Sequence, residues 1–190
     1  MISYRVWLFR ILAAVAAGLM ITSFIMPWWT ANFEHFTESH PEAIRIYAHG
    51  LQHSLGDYSY FVYSDITPQY QTILAWAFLA VSAGLILFSI WLKGNKGRWL
   101  LGGVGLIYIA YTAIAAFVVI SGRLSEFGIS LQGWSTIEII VEGTEAISDQ
   151  IISVLANLRF GYYLAYIAGA ICILSALFRN IITGKPKTVT

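Results

Sequence analysis

All four histidines of this 190-residue chain, His35, His40, His49 and His53, fall between residues 27 and 70. His49 and His53 are four apart, one turn of a helix, and Asp57 extends the row by the same step. Two imidazoles at that spacing can chelate zinc or copper, with the carboxylate as a third ligand. The chemistry on offer is metal holding. A zinc protease would need the general base of a His-Glu-x-x-His sequence, which is absent, and a solvated polar face would present the same residues. No Walker or Gly-x-Ser-x-Gly pattern occurs, and Gly102-Gly103-Val104-Gly105 lies inside an apolar stretch where it cannot cradle phosphate. The single cysteine, Cys172, excludes dithiol redox chemistry and any disulfide within one chain. The chain is therefore not expected to be an enzyme. No cofactor is expected either, unless copper or zinc binds His49, His53 and Asp57.

The element expected to position these histidines is a helix. Ser39-His40-Pro41-Glu42 has the form of a capping box, with Pro41 tolerated in the first turn. Ile44, Tyr47, Ala48, Leu51 and Leu55 then recur at helical spacing, opposite Glu42, Arg45, His49, Gln52 and His53, and Gly56 is a natural stop. The stripe Ile44, Tyr47, Leu51 and Leu55 is an interaction surface that the bundle, a partner or the lipid surface must cover. Tyr58 to Tyr63 is aromatic and suits a short strand. Further on, Ser135-Thr136-Ile137-Glu138 is another capping box, but Gly143 interrupts the run and 137–141 reads equally as a strand. From Thr144 the spacing of Ile147, Ile151, Val154, Leu155 and Leu158 is helical and leads almost directly into the fourth apolar stretch.

These segments alternate with four apolar stretches, about 11–29, 71–92, 99–121 and 160–178, each near the roughly 20 residues that cross ~30 Å of hydrocarbon. With 58% apolar and 11% charged residues, the chain reads as one integral membrane domain over 1–190. All ten carboxylates lie in the intervening segments 27–70 and 122–159, with only Arg45, Arg123 and Arg159 against them. Arg5, Arg10, Lys93, Lys96, Arg98, Arg179, Lys185 and Lys187 flank the spans on the other side. Since Lys and Arg stay cytoplasmic, both termini and the short 93–98 connection are placed inside, and the two long loops outside. The expected fold is an all-α, multi-pass bundle of four transmembrane helices in the cell membrane, with an amphipathic helix and short strands in its extracytoplasmic loops. The first stretch lacks a small-residue cleavage pattern and reads as a retained anchor. The tail from Ile181 reads as a short basic segment that either lies along the cytoplasmic lipid surface or is disordered.

The spans hold no acid, and no base beyond Arg10 at the edge of the first. Proton relays, ion-coupled carriers and voltage sensors need such groups, and haem needs axial histidines that the spans lack. Small residues recur every fourth position instead: Ala13 and Ala17, Ala14 and Gly18, Ala80 and Gly84, and Gly161, Ala165 and Gly169. Such rows let helix backbones approach, within one bundle or against another subunit. Trp28, Trp29, Trp76, Trp91 and Trp99 read as headgroup anchors. Tyr108, Tyr111, Tyr162, Tyr163 and Tyr166 would line a pocket if an apolar ligand bound among the spans, or else hydrogen-bond between helices.

Two spans joined by a short inner turn, two outer loops with the first the longer, and Pro27-Trp28-Trp29 at the exit of the first helix resemble the tetraspan group of claudins and peripheral-myelin-type proteins. Pro27 and Trp29 match that group's Pro-x-Trp; its loop cysteine pair has no counterpart, because no Cys lies in 27–70. The leading expectation is a non-catalytic four-helix membrane protein whose acidic, tyrosine-rich outer surface packs on or organises other proteins, as an accessory or structural subunit of a larger membrane complex or a self-associating tetraspan, acting through acidic outer loops and small-residue helix faces. Metal handling or an enzyme-accessory role through the loop histidines is the alternative, and apolar-ligand binding or transport a further one. Expected partners are membrane lipid and other membrane subunits or further copies, with no nucleic acid.

Overall fold

The structure, a computed structural model, describes residues 4–33, 44–53, 69–92, 95–126, 128–142 and 147–179. Four helical segments in it are long and apolar enough to cross a membrane. They are α1 (Tyr4–Ile25), α2 (Gln69–Ser89), α3 (Asn95–Ile114) with its continuation, and α5 (Phe160–Leu177). Beyond α3 the helix runs on as a π-helical segment, Ala115–Ile120, and a short α4, Ser121–Glu126. The continuous stretch Asn95–Glu126 spans 32 residues. At 1.5 Å per residue that is about 48 Å, well beyond a hydrocarbon layer of ~30 Å.

The helices form a ring in which α1 packs on α2 and α5, and α3 packs on α2 and α5. Phe9, Met20, Phe24, Ile86, Leu101, Tyr108 and Cys172 fill its axis. The small residues of α5 serve this packing. A Cβ on Gly105 would stand 2.7 Å from the Cys172 Cβ and 2.8 Å from the Gly169 carbonyl oxygen, and one on Gly169 would stand 2.5 Å from Ile109 Cγ1. Ala165 is fully buried, as are Ala13 and Ala17 of α1, whereas Ala14, Gly18, Ala80 and Gly84 face outward. Exposed apolar side chains on each of the four long helices, such as Ile11, Ile73, Leu106 and Leu174, give the ring an apolar outer surface that water would penalise.

At the end where α1 begins and α5 finishes, Arg179 draws three elements together. Its Nη2 donates to the Leu92 carbonyl at 2.7 Å, and its guanidinium carbon lies 4.9 Å from the centre of the Phe9 ring. Gly97 leaves it room, since a Cβ there would collide with the guanidinium.

The opposite end carries a five-stranded antiparallel sheet, which corrects the all-α expectation. Its strands are β1 (Trp29–Phe33), β2 (Ile44–Tyr47), β3 (Gly50–His53), β4 (Gly133–Glu142) and β5 (Ile147–Leu158), in the order β3-β2-β1-β5-β4. The amphipathic helix expected through Ile44, Tyr47 and Leu51 is therefore a hairpin. The helical template leaves out Ile46, and β-branched residues at 44 and 46 suit a pleated surface. Pairing of Trp29 with Ile46 and of Ala31 with Ile44 then gives β2 backbone partners on both sides. The helix expected from Thr144 onward is likewise β5 over its described residues: Ile152, Val154 and Ala156 are buried in alternation, a period of two that the helical positions conceal. One face of the sheet packs Trp29, Ala31, Phe33, Val154 and Ala156 against Ile120 and Leu124, so the overlong third helix is the sheet's support. Leu55, Asp57, the expected strand at Tyr58 to Tyr63 and the basic tail lie outside the described residues.

Candidate functional site

Sheet and bundle are spliced without a linker. The first apolar stretch, expected to run to residue 29, leaves the helix at Ile25, where Pro27 removes a backbone donor, and Trp29 already belongs to β1. At the other side of the splice β5 ends at Leu158 and α5 begins at Phe160, with Arg159 between them in extended conformation. Trp29 pairs with Leu158, so the α1–α5 helix pair continues directly into the β1–β5 ladder. Backbone bonds lock the crossing: Trp28 N–H to the Ile46 carbonyl (2.8 Å), Arg159 N–H to the Trp28 carbonyl (2.8 Å) and Gly161 N–H to the Pro27 carbonyl (3.2 Å). Side chains add Ser23 Oγ donating to the Gly161 carbonyl (2.7 Å) and Arg159 Nε donating to Thr30 Oγ1 (2.6 Å). Gly161 is required for the approach, since a Cβ would stand 2.6 Å from the Met26 oxygen and 2.7 Å from the Pro27 oxygen.

Trp28 and Trp29 are fully buried in this splice, which overturns their reading as headgroup anchors. The Trp28 Nε1–H donates to the Ser23 carbonyl at 2.9 Å and its ring meets Tyr111 and Tyr162 edge-on. The Trp29 Nε1–H reaches the Leu131 carbonyl at 2.7 Å. Both indoles satisfy their one donor inside the protein, as buried tryptophans must. Trp76, Trp91 and Trp99, by contrast, are exposed.

The turn of the β2–β3 hairpin, Ala48-His49, is pinned onto the bundle top. The Tyr111 hydroxyl from α3 donates to the Ala48 carbonyl at 2.9 Å. His49 Nδ1 lies 3.0 Å from the Phe24 carbonyl, one of the last-turn carbonyls of α1 that lack an intrahelical donor. A carbonyl only accepts, so Nδ1 carries the proton. The imidazole is boxed by Phe24 (5.6 Å between centroids, stacked), Tyr47 (5.4 Å) and Trp76 (5.1 Å).

This geometry separates the expected metal ligands. The helix that would place His49 and His53 one turn apart does not form; His49 sits in the turn, and His53 is paired with Ile44 at the far end of β3, about 13 Å along an extended strand. Asp57 is outside the described residues, and among those described no three His, Cys, Asp or Glu side chains lie together. Of the expected interaction residues, Ile44 is buried under the sheet and Tyr47 half-buried against His49, while Leu51 is paired with Ile46 in the hairpin. Gly161, Ala165 and Gly169 face the interior. The tyrosines pack ring to ring, Phe78 with Tyr108 and Tyr111, and Tyr162 with Tyr163 and Tyr166.

The surface that sequence reasoning missed is the other face of the sheet. Trp134, 63% exposed, is paired with Leu155 there, and Ile151, 67% exposed, is paired with Glu138. The alternation of Trp134, Thr136 and Glu138 along β4 was the available signal. Comparison of the chain with known protein families, with curated proteins and with solved structures gives no match.

Proposed function

We propose that the chain is a multi-pass membrane protein, with its termini and the α2–α3 connection cytoplasmic, that serves as a non-catalytic accessory subunit and presents its extracytoplasmic sheet to another membrane protein. The observation that carries this reading is the pair Trp134 and Ile151, exposed on a sheet that the backbone splice joins to the bundle. A preorganised apolar surface loses little entropy on docking, and a Trp at the centre of an interface is typically worth about 2 kcal/mol or more. Charge favours the kind of partner. The outer segments hold every carboxylate of the chain against three arginines, so a second copy would bring like charge to like, whereas a basic extracytoplasmic surface is complementary.

Purification from membranes in a gentle detergent, followed by identification of what co-purifies, tests the proposal. A stoichiometric membrane protein that Trp134→Glu releases, with the thermal stability of the isolated chain unchanged, is the expected result. A homo-oligomer dissociated by the same substitution would favour self-association instead. A partner retained by Trp134→Glu would rule out this face.

A further inference from the structure

The two ends of the bundle differ in what can neutralise them. No Asp or Glu occurs in residues 1–26, 71–121 or 160–190, so the basic end has no carboxylate within its own helices or connection. Arg179 is occupied by the Leu92 carbonyl and the Phe9 ring. Arg10 is not: its Nε is buried and has no hydrogen-bond partner. It lies at the edge of the first apolar stretch, within the apolar helical segment Val6–Ile25. A charge set beside apolar surface is stabilised by an anion that meets it. Its neighbours on α1, Trp7 and Ile11, are exposed and apolar, which a lipid tolerates and a soluble anion does not. Trp91 and Trp99, 76% and 73% exposed, flank the α2–α3 connection, with the Arg98 guanidinium 6.0 Å from the Trp99 ring, an arrangement typical of headgroup depth.

We propose that the basic end of the bundle binds one anionic phospholipid, whose phosphate accepts hydrogen bonds from the Arg10 guanidinium. The proposal rests on the membrane-spanning reading above. A planar guanidinium suits a phosphate because two parallel N–H groups can meet two oxygens, which a lysine ammonium cannot do. Phosphate chemistry alone would also admit inorganic phosphate, but the apolar setting of Arg10 selects an anion carried on acyl chains.

Native mass spectrometry of the full chain from detergent micelles tests this, with phosphatidylglycerol, phosphatidylcholine or inorganic phosphate added in turn. One phosphatidylglycerol should stay bound under activation that strips phosphatidylcholine, and Arg10→Gln should weaken its retention on the order of tenfold. Arg10→Lys, which keeps the charge and loses the fork, should fall between; it carries the test if Arg10→Gln does not fold, and full retention by it would then overturn the site. An equal loss from Lys96→Gln, at an exposed lysine, would mean diffuse attraction and overturn it. Equal binding of inorganic phosphate would overturn the lipid assignment. A micelle has no inside or outside, so this measurement is independent of topology: labelling of Asn95→Cys by an impermeant thiol reagent in intact cells would sink the orientation and leave the lipid result standing.

Discussion

The sheet end and the arginine end hold the same four helices by different means. At the sheet end the main chain makes the joint: α1 and α5 become paired strands, and carbonyls at positions 27, 28 and 46 accept from N–H groups at 161, 159 and 28. At the arginine end one side chain, Arg179, joins α1, α5 and the α2–α3 connection. Backbone joints depend on close approach and cannot give way, whereas a long side chain can be replaced or reoriented. The sheet end should therefore be the more sensitive to small added volume, and the arginine end comparatively forgiving.

Gly161→Ala should show the largest effect. The added methyl would meet two backbone oxygens within 2.7 Å, and neither can move without breaking the splice. Overpacking of this kind costs about 1–3 kcal/mol, and the upper part of that range is expected here. Gly169→Ala should cost less, since its tightest contact is with the Ile109 side chain and its nearest backbone oxygen, that of Gly105, stands farther off at 3.0 Å. Gly103→Ala, with nothing within 4 Å of the new Cβ, should be neutral or stabilising by about 0.5–1 kcal/mol. Thermal unfolding in one detergent ranks the three. A Gly161→Ala protein as stable as Gly103→Ala would remove the backbone splice as the controlling feature.

How much of this was legible in the sequence depends on the kind of signal. The four apolar stretches were plain, because length and composition alone define them, and the observed helices overlap all four. The outer sheet was not. Ile44, Tyr47, Ala48 and Leu51 match a helical template as well as a hairpin, and what decides between them is pairing with β1, a contact between distant parts of the chain. The capping box at Ser39 to Glu42 lent the helix further weight, and it lies outside the described residues. Trp28 and Trp29 were misplaced for a related reason. An indole at a span's end suits the headgroup layer, and only the tertiary fold reveals a buried carbonyl for each N–H. The position of His49 was visible only as part of a polar row, and the Phe24 carbonyl that holds it is a helix end, not a ligand set.

The pinned hairpin turn should give an intermediate effect. His49→Ala removes the donor to the Phe24 carbonyl together with three ring contacts, and a cost of about 1–2 kcal/mol is expected. Tyr111→Phe removes only the hydroxyl bond to the Ala48 carbonyl while keeping the ring against Trp28 and Phe78, so about 1 kcal/mol should be lost. Hydrogen exchange of the β2 and β3 amides is the sharper measurement: both variants should loosen this hairpin while leaving the α3–α5 contact protected. Faster exchange spread evenly over the helices would show that the turn is part of the bundle's stability and no separate latch.

Arg179→Met should be the mildest of the destabilising substitutions. The substitution keeps an apolar stem beside Phe9 and gives up the hydrogen bond to the Leu92 carbonyl and the cation over the ring. Exclusion of water strengthens both contacts but also strips hydration from the charge. Partial burial pulls the Arg179 pKa below the ordinary arginine value, a sign that desolvation of the charge offsets part of what the contacts supply. Gly97 leaves space that the longer arginine fills, so the methionine also opens a small gap, and the balance should be a loss of about 0.5–1 kcal/mol. A second substitution separates the terms: Gly97→Ala, which pushes against the same guanidinium and against the Ser89 carbonyl, should be destabilising in the wild-type background and less so when combined with Arg179→Met. If Arg179→Met alone costs as much as Gly161→Ala, the arginine is no adjustable clasp, and the contrast between the two ends fails.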